Sequence, residues 1–76
     1  MALRYVLPAA ANAELRICDV SGRRVRSLVS GWMEAGVREV TWMGVDTDGR
    51  RVLAGVYFAQ LVTPDGRRST RFVLMP

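Results

Sequence analysis

The sequence contains no histidine, no lysine and a single cysteine, Cys18, among its 76 residues. Without histidine, the chain cannot build a Ser-His-Asp triad, a Cys–His dyad or most kinds of zinc site. Without lysine it cannot form a lysine–asparagine isopeptide crosslink, and a lone cysteine has no partner for an intrachain disulfide. These absences predict a non-catalytic protein that carries no cofactor.

The sequence also has no hydrophobic run that approaches the roughly 20 residues needed to cross a membrane as a helix. Residues 1–5 lack the shape of a signal peptide. We therefore predict no membrane insertion, and we expect any export signal to lie upstream of this fragment.

The charge of the chain is basic, with eleven arginines against seven acidic residues and a net charge of +4. A basic balance can favour nucleic acid or an acidic surface as a partner. The arginines fall mostly in turns and on strands, and no series of aromatic residues accompanies them for base stacking. We therefore predict no nucleic-acid binding.

Turn-forming residues recur at short, regular intervals, and the segments between them are rich in β-branched and aromatic residues. This spacing, with a hydrophobic content of 50%, predicts an all-β, immunoglobulin-like sandwich of about seven antiparallel strands. We expect one domain over residues 1–76, with no internal repeat. The predicted strands are residues 3–7, 14–20, 25–29, 37–42, 52–53, 56–63 and 67–75.

The sequence also predicts the form of two connections between strands. Gly22 supplies the positive φ of a primed hairpin turn after Ser21. Residues 31–36 form a connection in which Trp32 and Met33 are large and apolar. These two side chains either fold back to close one end of the sandwich or form an exposed contact patch.

The segment from Trp42 to Tyr57 is the richest in turn signals. Asp46 and Asp48 can accept hydrogen bonds from backbone amides just downstream, and the glycines nearby permit left-handed dihedral angles. We interpret these aspartates as turn formers. Weak calcium binding is the alternative, although the spacing does not follow an EF-hand loop. Tyr57 follows the corner at Gly55, so its hydroxyl can reach upstream backbone and hold that corner.

These features together resemble one family over nearly the whole chain. The matching positions are residues 5–8, 15–25, 28–29, 35–36, 40–42, 44, 46, 48–49, 55–58 and 71–74. In this order and spacing they resemble the immunoglobulin-like domain at the C-terminus of many secreted bacterial proteins, a family that includes a domain of the flagellar hook-capping protein and the type A sorting domain of type IX secretion. The residues that carry the resemblance are Asp19, Gly22, Arg23, Trp42, Gly44, Asp46, Asp48, Gly49, Gly55 and Tyr57. Met43 departs from it, since an aspartate is common there.

The resemblance implies a C-terminal module of a larger secreted or cell-surface bacterial protein. Its function would be secretion sorting or surface attachment through a protein partner such as export machinery, with Arg71 on the last strand as a possible recognition residue. A structural assembly module, as in the hook cap, is the alternative. A carbohydrate-binding accessory domain is a third possibility, and it would need Tyr5, Trp32 and Phe72 exposed in a row.

Overall fold

The computed structural model describes all 76 residues and contains six β-strands and no α-helix. The strands are β1 (Ala2–Leu7), β2 (Ala11–Cys18), β3 (Arg24–Met33), β4 (Gly36–Thr41), β5 (Gly55–Thr63) and β6 (Gly66–Leu74). No segment forms a helix long and apolar enough to cross a membrane.

The strands form two antiparallel sheets that pack face to face. One sheet has two strands in the order β1-β4, and the other has four strands in the order β3-β2-β5-β6. Pro8 follows β1 directly, where the chain leaves the first sheet for the second, because proline cannot donate to a ladder. The predicted all-β, immunoglobulin-like fold class is confirmed, with six strands in place of about seven.

The missing strand is the short one predicted at residues 52–53. Val52 does donate a backbone hydrogen bond, to the carbonyl of Gly44 at 2.9 Å. Neither Val52 nor Leu53 joins a ladder, and Leu53 is 85% exposed. The prediction fails because two apolar residues between turns are too few to build a ladder, and only an isolated bridge between Val45 and Arg51 forms here.

Strand β3 is longer than predicted because residues 31–33 continue it instead of forming a connection. The register against β2 shifts twice, and each shift leaves one extra residue on β3, Leu28 and Val25. A β-bulge of this kind turns the extra side chain without ending the strand. Val25 is buried and Leu28 packs against both hydrophobic clusters.

The core consists of two hydrophobic clusters between the sheets. One contains Leu7, Ala13, Leu15, Met33 and Leu61, and the other contains Ile17, Val25, Trp42 and Tyr57. The alternation predicted for β2 and β5 is present, since Leu15 and Ile17 and then Tyr57 and Leu61 point inward. Full burial of one such side chain contributes about 1.5–3 kcal/mol.

Trp32 and Met33 lie on opposite sides of β3. Neither the buried plug nor the exposed contact patch that we expected therefore holds for both residues. Met33 is buried, and the Tyr5 hydroxyl lies 3.8 Å from its sulfur. Trp32 points outward with 63% of its surface exposed, and its indole N–H donates to Glu34 at 3.3 Å. Successive residues of a strand face opposite sides, so one extended backbone cannot bury both.

Candidate functional site

Asp19 organises the turn between β2 and β3. Its Oδ1 accepts hydrogen bonds from the amides of Ser21 and Arg23, each at 3.0 Å, and from the Ser21 hydroxyl at 2.6 Å. The Asp19 carbonyl also accepts from the Gly22 amide, and its amide donates to the Arg23 carbonyl, both at 3.0 Å. Asp19 therefore accepts hydrogen bonds from three successive backbone amides of the turn, two through its side chain and one through its carbonyl.

The predicted primed turn at Ser21 and Gly22 is wrong. Gly22 has a φ of +87°, as expected, but no residue other than glycine has a positive φ. Gly22 occupies the last position of the turn that begins at Asp19, whereas a primed turn needs a positive φ at its central positions. The hydrogen bonds of Asp19 favour the ordinary turn because they hold the central residues in the right-handed region.

Asp46 builds a second turn with the same hydrogen bonds. Its Oδ1 accepts from the amides of Asp48 and Arg50, each at 2.9 Å. Its carbonyl accepts from the Gly49 amide at 3.0 Å, and its amide donates to the Arg50 carbonyl at 2.8 Å. Gly49 has a φ of +81°, close to that of Gly22. Asp46 and Gly49 thus shape this turn as predicted, with one carboxylate oxygen of Asp46 on two backbone amides. The Asp48 side chain, from which the same was expected, accepts no backbone hydrogen bond, and Asp48 contributes its own amide as a donor to Asp46.

These two turns, which we call the twin turns (residues 19–23 and 46–50), come from an internal repeat that our sequence expectation excluded. Residues 19–25 read DVSGRRV and residues 46–52 read DTDGRRV. The two copies are short, and β4 and most of β3 lie between them, so they do not mark a duplicated domain. The signal that would have revealed it is the shared Asp-x-x-Gly-Arg-Arg-Val pattern.

The twin turns meet at one end of the sandwich. The amide and hydroxyl of Thr47 both donate to the Val25 carbonyl, at 3.1 and 3.2 Å, and the Arg26 guanidinium donates to the Asp46 carbonyl at 2.7 Å. An open cleft of about 570 Å³ lies between them, with three aspartates and three arginines in its lining. The balanced charges give this cleft no preference for an anion or a cation.

Trp42 and Tyr57 attach the segment between them to the core. The Trp42 ring is 1% exposed and packs edge-on against Tyr57 and Phe72, at centroid distances of 5.4 and 5.9 Å. Its indole N–H donates to the Val45 carbonyl at 2.9 Å. The hydroxyl of Tyr57 donates to the Leu53 carbonyl at 2.6 Å, which is the contact that holding this corner requires.

Gly44 and Gly55, the two remaining glycines that carry the family resemblance, lie at the same end of the domain. Gly44 has a φ of +73°, and a Cβ there would lie 3.6 Å from the Leu74 side chain. Gly55 begins β5 with a φ of +148°. Both positions therefore use backbone conformations that side-chain-bearing residues rarely adopt.

The ionisable side chains of this end do not form a catalytic or metal-binding arrangement. The Ser21 hydroxyl, above all, lowers the pKa of Asp19 below its ordinary value of 3.8, against a smaller opposing effect of burial, and the amides of Arg23 and Ser21 and the Arg23 charge also lower it. The lowered pKa is the result of the hydrogen bonds that the carboxylate accepts, and it makes Asp19 a poorer general base. No three His, Cys, Asp or Glu side chains lie close enough together to hold a metal ion.

Arg71 lies away from the twin turns, on the edge strand β6. It is exposed and stands opposite Phe58 of β5, on the outward face of the four-stranded sheet. Cys18 is buried, and its sulfur lies 3.5 Å from the Gln60 side-chain oxygen on the same face. The motif residues and the predicted recognition residue therefore occupy different parts of the domain.

The model of the FlgD Ig-like domain family matches residues 1–66. The chain belongs to this family. It is similar to the basal-body rod modification protein FlgD of Salmonella typhimurium and of Salmonella typhi, at 40% identity over 60 residues in each case. These 60 residues are 79% of this chain and 25% of each relative, so the chain spans about a quarter of their length.

The fold is also that of a solved FlgD structure. The structure of FlgD from P. aeruginosa superposes with a TM-score of 0.67 at 23% identity, over 96% of this chain and 58% of the other. This likeness shows the fold alone. The resemblance to the flagellar family is confirmed, and the matches do not extend to the type IX sorting domain.

The expected localisation is wrong. The sequence resemblance implied a secreted or cell-surface protein that is sorted by its last domain, whereas the family and the curated relatives are FlgD, a protein of basal-body rod modification. The error arose because the turn glycines and the strand pattern that carry the resemblance define the fold and hold no information on localisation.

The three aromatic residues needed for a carbohydrate platform do not form a row on the FlgD Ig-like domain. Trp32 is exposed, but Tyr5 is half-buried with its hydroxyl on Met33. Phe72 is half-buried with its ring against Trp42 at 5.9 Å. Sugar-stacking surfaces need flat exposed rings side by side, and the geometry gives no support to that alternative.

Proposed function

We propose that this chain is a non-catalytic structural module of a FlgD-type protein that takes part in flagellar hook assembly. The observation that carries the proposal is the family match over residues 1–66. The proposal includes the expectation that residues 1–76 act as one domain of a longer protein, because the curated relatives are about four times the length of the matched segment.

The physical character of the domain supports a structural role. Its hydrogen bonds go to backbone ladders and to the twin turns, and its aromatic residues Trp42, Tyr57 and Phe72 are used in the core. A folded sandwich that exposes both charged and apolar side chains is suited to contact with other proteins. A protein partner is therefore the expected kind, and we propose no catalytic step.

A domain exchange tests the proposal. The segment of Salmonella typhimurium FlgD that matches this chain would be replaced by residues 1–76, and the chimaera would be expressed in a strain that lacks its own FlgD. We expect hooks to be restored in electron micrographs. A chimaera with Trp42→Ala serves as the matched control, because loss of the core ring should unfold the module and abolish hooks.

Two results decide the exchange. The proposed role would be refuted by a chimaera that accumulates at the normal level and whose module resists protease digestion, as a folded domain does, yet that builds no hooks. Equal hook formation by the Trp42→Ala chimaera would also count against it, since a module that acts through its folded surface cannot tolerate unfolding.

A further inference from the structure

Strand β6 is a long free edge of the four-stranded sheet. It runs from Gly66 to Leu74 and pairs with β5 alone, in a continuous register without a bulge. The opposite edge, β3, carries two bulges and receives the Thr47 bonds, so it is less regular. Unpaired backbone groups along a regular edge can accept a further strand.

The outward face beside this edge is rich in arginine, and we call it the arginine face. Register and burial place on it the side chains of Arg16, Arg24, Phe58, Gln60, Arg67 and Arg71. One acidic residue, Glu14, lies among them and is shared at 3.5 Å by Arg16 and Arg24. Arg67 and Arg71, on the edge strand itself, have no acidic partner within 4 Å.

The centre of the arginine face presents hydrogen-bond donors. The Gln60 side-chain oxygen accepts from the Arg16 guanidinium at 3.0 Å and from the Cys18 thiol at 3.5 Å. With its acceptor engaged, Gln60 has its amide N–H groups left to donate, and they make no hydrogen bond within the domain. A face of free guanidinium and amide donors favours a partner rich in carboxylates.

An apolar strip completes this face at the end of β6. Val73 stands opposite Val56 and is 51% exposed, and Phe58 is half-buried beside Arg71. A partner that used only anionic groups would leave this strip uncovered. A protein segment can supply both acidic and apolar side chains. Nucleic acid would instead need a series of exposed aromatic residues on the domain for its bases to stack on, and this face does not have one.

We propose that β6 binds an acidic, extended segment of a partner protein by strand addition. In an added strand, side chains on the arginine face would lie opposite Arg67, Ser69, Arg71 and Val73, because every second residue shares a face. The fitting segment therefore has carboxylates opposite Arg67 and Arg71 and an apolar residue opposite Val73. Strand β6 of a second copy of this chain is disfavoured as the added strand, since it carries arginines on this face where the fitting segment carries carboxylates.

This inference rests on the proposed function, because it names the kind of partner that the assembly module contacts. The probe is an acetylated and amidated peptide of sequence TVTETSTET, which places its valine and two glutamates against β6 in antiparallel register. The control peptide, TVTQTSTQT, has the same β-propensity without charge. Both are titrated into the isotope-labelled 76-residue chain and followed by the amide resonances.

We expect the acidic peptide to shift amides of β6 and to slow their hydrogen exchange. Arg67→Gln and Arg71→Gln should each weaken its binding about fivefold, since a hydrogen-bonded pair of charges is lost. Arg50→Gln is the matched control, because Arg50 is also exposed but lies on a twin turn, so the substitution should leave the affinity unchanged. Raising the salt concentration should weaken binding of the acidic peptide.

Several outcomes would overturn the proposal. Equal binding of the glutamine peptide would remove the role of charge, and shifts confined to the twin turns would move the site elsewhere. Tighter binding of a single-stranded oligothymidylate or of anionic phospholipid vesicles would assign the arginine face to another class of partner. Absence of any shift on β6 at millimolar peptide would exclude strand addition.

The two proposals fail in distinguishable ways. A chimaera that builds hooks while β6 ignores the acidic peptide would remove strand addition and leave the assembly role. A chimaera that builds no hooks while the peptide binds β6 would remove the assembly role and leave strand addition.

Discussion

The twin turns predict that two distant glycine substitutions will have the same cost. Gly22 and Gly49 occupy the same position in their turns, with φ values of +87° and +81°. A Cβ added at either glycine would meet no atom within 4 Å. The cost of Gly22→Ala or Gly49→Ala therefore comes from the backbone alone, with no steric contribution from neighbours.

The expected magnitude follows from the cost of a left-handed conformation. Placing an alanine in that region costs about 1–2 kcal/mol. A domain of this size has a free energy of unfolding of about 4–11 kcal/mol. Each substitution should therefore remove a large fraction of the stability, and the melting temperature should fall by about 4–8 °C for each kcal/mol lost.

Urea denaturation followed by circular dichroism measures the effect. The midpoint should move to lower urea while the slope of the transition is unchanged, since the area exposed on unfolding is the same. Gly22→Asn and Gly49→Asn are matched controls, because asparagine tolerates the left-handed region better than alanine. Both should recover part of the loss.

Two results would refute this reasoning. If the alanine variants differ from one another by more than about 1 kcal/mol, the turns are not equivalent in energy. If asparagine is no better than alanine at both sites, the left-handed backbone is not the cause of the loss.

Three further substitutions test the core and the turns. Tyr57→Phe keeps the ring but removes the hydrogen bond to Leu53, so urea denaturation should show a loss of about 1 kcal/mol; an unchanged midpoint would mean that the bond does not hold the corner. Trp42→Ala should cost about 3–5 kcal/mol in the same assay, and a loss below about 1 kcal/mol would contradict its burial. Because the folded-state pKa of Asp19 is lowered, its contribution is present above its ordinary pKa of 3.8 and is lost as the pH falls through the lower folded value. Asp19→Asn should therefore reduce the fall in stability between neutral and strongly acidic pH, measured against the unsubstituted chain, and an identical pH profile would show that Asp19 is not responsible.

Regular alternation made parts of the fold predictable. Leu15 and Ile17 lie two residues apart, as do the inward residues of β5, and the structure has both strands in that orientation. Tyr57 follows the corner at Gly55 closely enough that its reach to upstream backbone could be expected. These predictions depend only on the period of a strand and the length of one side chain.

Strand β3 shows why other parts could not be predicted. Its inward residues, Val25 and Leu28, do not alternate with a period of two, because each is the extra residue of a bulge. A bulge depends on pairing with β2, which a pattern along one strand does not contain. The extension of β3 to Met33 is not predictable for a related reason, since glycine at position 31 is typical of a turn and weakens a strand that lacks a paired neighbour.

The arginine face required the register of distant strands. Arg16 meets Gln60 across a separation of 44 residues, and Arg71 meets Phe58 through the β6 pairing. The sequence alone identified Arg71 as a possible recognition residue but could not place it beside these neighbours. Only the order β3-β2-β5-β6 brings the arginines together.

The division into two separate sheets has a mechanical consequence. The chain enters through β1 in one sheet and leaves through β6 in the other, and no ladder joins the two sheets. Tension between the two ends would therefore pass across the sandwich mainly through side chains such as Trp42 and Leu7, and through the Thr47 bonds to Val25. Resistance to pulling should depend on the core packing more than on any single β-ladder.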